Sequence, residues 1–158
     1  MAKTDLTRHC TVARTLEVIG DRWTVLVLRD AFYGVRRFED WVADLGIARN
    51  ILTDRLGKLV DHGVLEKQPY AERPVRYEYR LTEKGKDLLP VVLSLAAWGS
   101  RWETEDRPEA ARIVHTSCDH DADPTVVCGH CGDPLRRREI RVEPNPVRRT
   151  TPADVTAP

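Results

Sequence analysis

Four runs of apolar residues at helical spacing, each closed by a glycine, constrain this chain more than any other feature. Val12, Leu16 and Ile19 stop at Gly20, while Trp23, Leu26, Val27 and the segment to Ala31 stop at Gly34. Phe38, Trp41 and Val42 stop at Gly46, and Leu52, Leu56, Leu59 and Val60, in a helix opening near Ala48, stop at Gly63. Apolar residues every three to four positions share one helix face. A glycine just past the last of them accepts the left-handed backbone that ends a helix. The spacing predicts four short helices, the last two joined by a glycine turn as in a helix-turn-helix.

The period then changes. Residues 64–68 and 76–81 alternate as strands do, and residues 69–75, with two prolines, read as the long exposed tip of a hairpin. Thr82 offers a helix N-cap with Glu83 in the first turn, opening a long helix that shows Leu88, Leu89, Val92, Leu95, Ala96 and Trp102. Pro90 is expected to kink that helix or mark a restart. The expected fold is mainly α with a small β-hairpin wing, a winged helix-turn-helix whose long last helix suits dimerisation.

Composition narrows the rest. The 158 residues carry 25 Lys and Arg against 25 Asp and Glu, so this is not a strongly basic chain. No stretch approaches the roughly 18 apolar residues of a membrane span, and the first ten residues lack a secretory apolar run. A cytoplasmic protein without membrane attachment is expected, with thiols reduced and available as ligands or sensors. Residues 1–9 read as an N-terminal arm, 10–107 as the packed domain, 112–141 as a small Cys/His module and 142–158, with four prolines, as a disordered tail.

Several ordered motifs resemble the HxlR-type winged helix-turn-helix transcriptional regulators. They are Cys10-Thr11-Val12-Ala13-Arg14, Ile19-Gly20-Asp21-Arg22-Trp23-Thr24, Arg37-Phe38-Glu39-Asp40, Asn50-Ile51-Leu52-Thr53-Asp54-Arg55-Leu56, Tyr77-Glu78-Tyr79-Arg80-Leu81-Thr82-Glu83-Lys84-Gly85 and Leu89-Pro90-Val91-Val92. The resemblance covers residues 10–107 and implies a MarR-like homodimer, in some members sensing oxidants or electrophiles through a cysteine near the N-terminus. Two positions depart from the family pattern. Thr11 stands where proline is usual, and Ala48 stands where serine often caps the recognition helix.

With Leu52, Leu56 and Leu59 facing the core, Arg49, Asn50, Thr53, Gly57 and Lys58 fall outward on the fourth helix, with Arg55 at its flank. Arg and Asn make two-pronged bonds to guanine and adenine edges, and Thr reaches a thymine methyl or a phosphate. Arg73 and Arg76 on the wing reach a minor groove or phosphates. The expected DNA contacts are therefore Arg49, Asn50, Thr53, Arg55, Lys58, Arg73 and Arg76, on a double-stranded operator with inverted repeats matching a homodimer. Residues 47–80 hold seven basic and five acidic groups, a small local excess inside a neutral chain.

His115 with Cys118 and Cys128 with Cys131 are two ligand pairs, each with a two-residue gap, separated by nine residues. Thiolate and imidazole at that spacing suit tetrahedral zinc, and four protein ligands fill a structural site. One structural zinc per chain is expected on His115, Cys118, Cys128 and Cys131, in a module similar to a small zinc ribbon; His120 and His130 are alternatives to His115. The rival readings are a redox Cys128/Cys131 pair and a labile, sensing zinc site. Arg136, Arg137, Arg138, Arg141, Arg148 and Arg149 follow, as phosphate contacts or as a solvated run.

Cys10 precedes the first helix beside His9 and Arg8, where positive neighbours and the helix N-terminus favour thiolate. It is the expected redox sensor. The function expected is a sequence-specific transcriptional regulator, a dimeric repressor responding to oxidants or electrophiles, and not an enzyme. The alternative is a zinc-containing protein–protein adaptor or a thiol-redox protein. Nothing in the sequence names a small-molecule effector.

Overall fold

The computed structural model describes residues 10–103 and 112–143. The N-terminal arm 1–9, residues 144–158 of the expected tail, and Arg148 and Arg149 of the arginine run lie outside the described residues. The chain divides into two units, Met1–Pro124 and Thr125–Pro158, and this boundary falls inside the 112–141 segment that spacing groups as one module.

The first unit opens with α1 (Thr11–Ile19), α2 (Arg22–Phe32), α3 (Phe38–Leu45) and α4 (Arg49–Asp61). Each ends at its expected glycine, and Gly34, Gly46 and Gly63 have φ of +93°, +60° and +65°. Gly20 stops α1 differently. A Cβ there would lie 2.4 Å from the Leu16 carbonyl oxygen, so close approach rather than handedness requires glycine. Asp21 caps α2, its Oδ1 accepting from the Trp23 and Thr24 amides at 2.9 and 3.3 Å.

The core forms where α2, α3 and α4 meet. Val27, Trp41, Leu52, Leu56 and Leu59 are 0% exposed. Full burial of one such side chain stabilises by about 1.5–3 kcal/mol. The Trp41 indole donates to the Val27 carbonyl at 3.3 Å and meets Tyr79 edge-on at 6.0 Å, tying α3 to α2 and to the wing.

The wing consists of β1 (Leu65–Glu72) and β2 (Val75–Leu81), paired antiparallel from Leu65 opposite Leu81 to Glu72 opposite Val75. The expected long tip is instead a two-residue turn, Arg73 and Pro74. Proline misled the sequence reading because Pro69 stays inside β1, at a register irregularity between Pro69 and Ala71, where a missing N–H is tolerated. A bridge from Arg37 to Glu78 and a 2.8 Å bond from the Tyr79 amide to the Arg36 carbonyl lay the segment before α3 alongside β2.

Thr82 caps the short α5 (Glu83–Lys86), accepting from the Gly85 amide at 3.1 Å and donating to the Gly63 carbonyl at 2.7 Å. Pro90 marks a restart. It stands in the first turn of α6 (Leu89–Trp102), where a proline lacks only an N–H that the helix does not use. No residue of α6 is buried, and on α1 only Ile19 is, with Val12 and Leu16 exposed. The apolar face of Val12, Leu16 and Ile19 on α1 is therefore open apart from its last residue. A hairpin of β3 (Val114–His115) and β4 (His120–Asp121) follows in this unit.

In the second unit, Val127 bridges Pro134 and one 3-10 turn spans Arg137–Glu139. None of its described residues is buried. Among the described residues no helix is long and apolar enough to cross a membrane.

Candidate nucleic-acid interface

The outward face of α4 is set by its inward face. With the three leucines sealed in the core, Arg49, Asn50, Thr53 and Gly57 are exposed, and Gly57 has open space where a Cβ would stand. Lys58 is half-buried at the last turn. Ala48 caps α4 without a side-chain acceptor. The Thr53 hydroxyl donates to the Arg49 carbonyl at 2.8 Å.

Two arginines of α4 differ in availability. Arg55 is only 23% exposed, and its Nε stands 3.1 Å from Asp21 Oδ1 while Nη1 stands 3.2 Å from Asp54 Oδ2. The Nε contact is an ion pair by distance but lies off the hydrogen-bond line, and this buried N–H has no hydrogen-bond partner among the described residues. Arg55 thus ties α4 to the capping residue of α2 instead of projecting from the outward face. Arg49 is 62% exposed, and its guanidinium forms a two-pronged pair with Glu39 of α3 at 2.8 and 2.5 Å. That bond holds the Glu39 carboxyl below its ordinary value and the Arg49 guanidinium above its own.

The wing presents Arg73 and Arg76 exposed, with no ion pair among the described residues. It also carries groups that the sequence reading passed over. Tyr70 and Tyr77 are exposed aromatics, with Arg37 stacked over Tyr70 at 4.7 Å and Lys67 over Tyr77 at 4.2 Å. Arg36 and Arg37 adjoin in sequence just before α3, and only the pairing with β2 brings them to the wing. Arg80, by contrast, is paired with Glu78 at 2.6 Å.

The two cysteine turns are alike in local design. In the first unit, the Cys118 and Asp119 amides donate to the His115 carbonyl at 3.1 and 2.9 Å, and Asp119 has φ of +59°. Cys118 Sγ stands 3.3 Å from His115 Nδ1, whereas His120 Nδ1 contacts the Cys118 carbonyl oxygen at 2.5 Å. In the second unit, the Gly132 amide donates to the Cys128 carbonyl and the Cys128 amide to the Asp133 carbonyl, both at 2.8 Å, with Gly132 at φ +78°. Backbone N–H groups of Cys131 and His130 bond to the Cys128 sulfur and draw its thiol below the ordinary value. Among the described residues no group of three or more His, Cys, Asp or Glu forms a cluster fit for a metal ion. Arg136, Arg137, Arg138 and Arg141 are exposed, with Arg136 and Arg141 near Glu139 and Glu143. Cys10 is exposed at the N-cap of α1, its carbonyl accepting from the Arg14 amide at 3.1 Å.

A cavity of about 370 Å³ lies in the first unit, lined by Arg14, Val18, Ile19, Val64, Lys84 and Leu88 among others. Its lining is apolar apart from Arg14, Lys84 and the hydroxyls of Thr11 and Thr15.

Comparison with known proteins agrees with this geometry. The family pattern described as HxlR-like helix-turn-helix matches residues 18–107. An uncharacterised HTH-type transcriptional regulator of Mycobacterium tuberculosis strain H37Rv is 41% identical over 149 residues, spanning 92% of this chain and 94% of that protein. Among solved structures, PA1607, a candidate transcription factor, superimposes with a TM-score of 0.78 at 38% identity, covering 89% of this chain and 98% of the other. The redox regulator HypR in its oxidized form gives 0.55 at 31% identity, covering 64% and 100%.

Proposed function

The chain belongs to the HxlR-like helix-turn-helix family, and on that premise we propose that it is a dimeric, sequence-specific DNA-binding repressor. It is a transcriptional regulator by family. The observation that carries the finer reading is the division of α4 into a leucine face sealed in the core and an exposed face bearing Arg49, Asn50 and Thr53. Arg49 and Asn50 read base edges, while Lys58, Arg73 and Arg76 hold phosphates; Arg55 contributes by fixing the angle of α4. Binding to random-sequence duplexes followed by footprinting tests this. A salt-sensitive complex over two inverted half-sites is expected, and a single unpaired half-site overturns the dimeric reading.

Dimerisation is supported by α6. Val91, Leu95, Trp98 and Trp102 recur at four, three and four residues along one helix face, and all are exposed at 41–66%. Apolar side chains in such a row point to an interface, and a second copy of the chain is the partner the family implies. Cys10 is proposed as the sensor, on its exposure at a helix N-terminus and on the likeness to a redox regulator. Cys10→Ser should bind DNA as the wild type does but keep binding after diamide or a quinone; release equal to the wild type removes Cys10 from the role.

Zinc is proposed from the spacing of His115, Cys118, Cys128 and Cys131, with local support from the first turn, where His115 and Cys118 lie side by side. In the first turn the 3.3 Å between sulfur and Nδ1 suits two ligands of one tetrahedral ion and favours His115 over His120. When bound, the ion would supply folding energy to segments with no buried side chains. One zinc per purified chain, retained through dialysis, is expected; metal-free protein with two titratable thiols at Cys128 and Cys131 favours the redox reading instead.

A further inference from the structure

We propose that Glu39 is a positioning residue that makes Arg49 selective for guanine over the phosphate backbone. This rests on the reading that Arg49 faces DNA. Glu39 and Arg49 sit ten residues apart, in the first turn of α3 and at the start of α4. Both carboxylate oxygens and both terminal guanidinium nitrogens are used, at 2.8 and 2.5 Å, in a fork with two parallel bonds. The guanidinium also lies 5.7 Å from the centre of the Phe38 ring. Phe38 packs against the core, and the residues just before it are hydrogen-bonded to the wing strand, so the acceptor end of the fork stands on a fixed base. The fork remains open to solvent, since the two side chains are 62% and 67% exposed.

The consequence is a competition for one guanidinium. A phosphate met in passing can also take two bonds from the guanidinium, but there Arg49 exchanges one solvent-exposed anion for another and gains little. Guanine offers O6 and N7 in the plane of the guanidinium, remaking both bonds. With Glu39 in place, Arg49 therefore adds affinity at a guanine and little elsewhere. Without the carboxylate it joins phosphates on any sequence. In a protein with no net charge, this holds back non-specific binding at the point where the recognition helix begins.

The test uses the full chain, an operator selected from random duplexes with the wild type, and a scrambled duplex, with binding followed by anisotropy across a salt series. Glu39→Gln keeps the shape of the side chain and removes its charge. It should tighten the scrambled complex about threefold and steepen its salt slope by about one phosphate, leaving the operator within about twofold. Arg49→Ala should lose operator affinity, and in that background E39Q should change nothing. An E39Q effect that persists without Arg49 overturns the proposal, because Glu39 would then act only as a surface charge. A loss of operator binding by E39Q as large as that of R49A overturns it too, because the carboxylate would be orienting Arg49 for every duplex. R49A weak on the operator with E39Q silent on both duplexes sinks the proposal and leaves the DNA-facing reading intact, whereas R49A silent on both sinks that reading first.

Discussion

α4 and α6 are nearly equal in length, at 13 and 14 residues, and both carry an apolar row at helical spacing, yet they meet opposite fates. In α4 the three leucines are wholly enclosed, with α2, α3 and β1 packed against the helix, so the row is used within the chain and the opposite face stays exposed. In α6 no side chain is buried, and only Val92 with the preceding Leu88 rests against the core. Periodicity says that a face must be covered but not by what. One helix is covered by its own chain and the other leaves its row exposed, which under the proposed function makes α4 the reader and α6 the connector.

That contrast can be broken from either side. The largest effect is expected from Leu56→Ala, which opens a cavity in the sealed row and should destabilise the fold by about 2–5 kcal/mol in a denaturant melt. A loss within experimental error would mean that α4 is not the packed helix. Next comes Trp98→Glu on α6, which should weaken self-association by about 30-fold or more in sedimentation while the melting of the dissociated chain stays as in the wild type. An unchanged oligomer moves the interface elsewhere. Ala48→Ser sharpens the α4 side. Its backbone already has the extended cap geometry without an acceptor, so the hydroxyl should add about 1 kcal/mol.

The smallest effect concerns Asp30, which sits at 3% exposure in α2 with one carboxylate oxygen paired to Arg29 at 2.7 Å and the other without a partner among the described residues. Burial raises its pKa above the ordinary aspartate value, against the pull of Arg29. The folded state then holds this proton more tightly than the unfolded chain. Its contribution to stability must therefore fall as pH rises from the ordinary value through the raised one. Asp30→Asn should remove that decline, and a stability profile of identical shape in the variant would show that Asp30 does not titrate there.

Much of the fold was legible because its signals are local. Glycines past each apolar run ended α1 to α4 at the expected places, since a positive φ or a missing Cβ is a property of one residue and its near neighbours. Thr82 as a cap was legible for the same reason. The wing tip was not, because Pro69 is a breaker in isolation and harmless at a register irregularity that only the partner strand defines. In the candidate site, the outward set on α4 followed from periodicity. The tie between Arg55 and Asp21 did not, because the two lie 34 positions apart and meet only once α2 and α4 pack. Arg36, Arg37, Tyr70 and Tyr77 were missed for a like reason: adjacency to β2 brings the arginines to the wing, and the strand register brings the tyrosines beside Arg37 and Lys67.

The sequence by itself determined the helix order, the inward leucines of α4, the hairpin, the family and the two short cysteine turns, all of which depend on periods and caps within a few residues. Only the tertiary structure decided which cations are free. Arg55 is tied to Asp21 and Arg49 to Glu39, because an ion pair forms where helices bring opposite charges within about 3 Å, a distance that spacing along the chain does not encode.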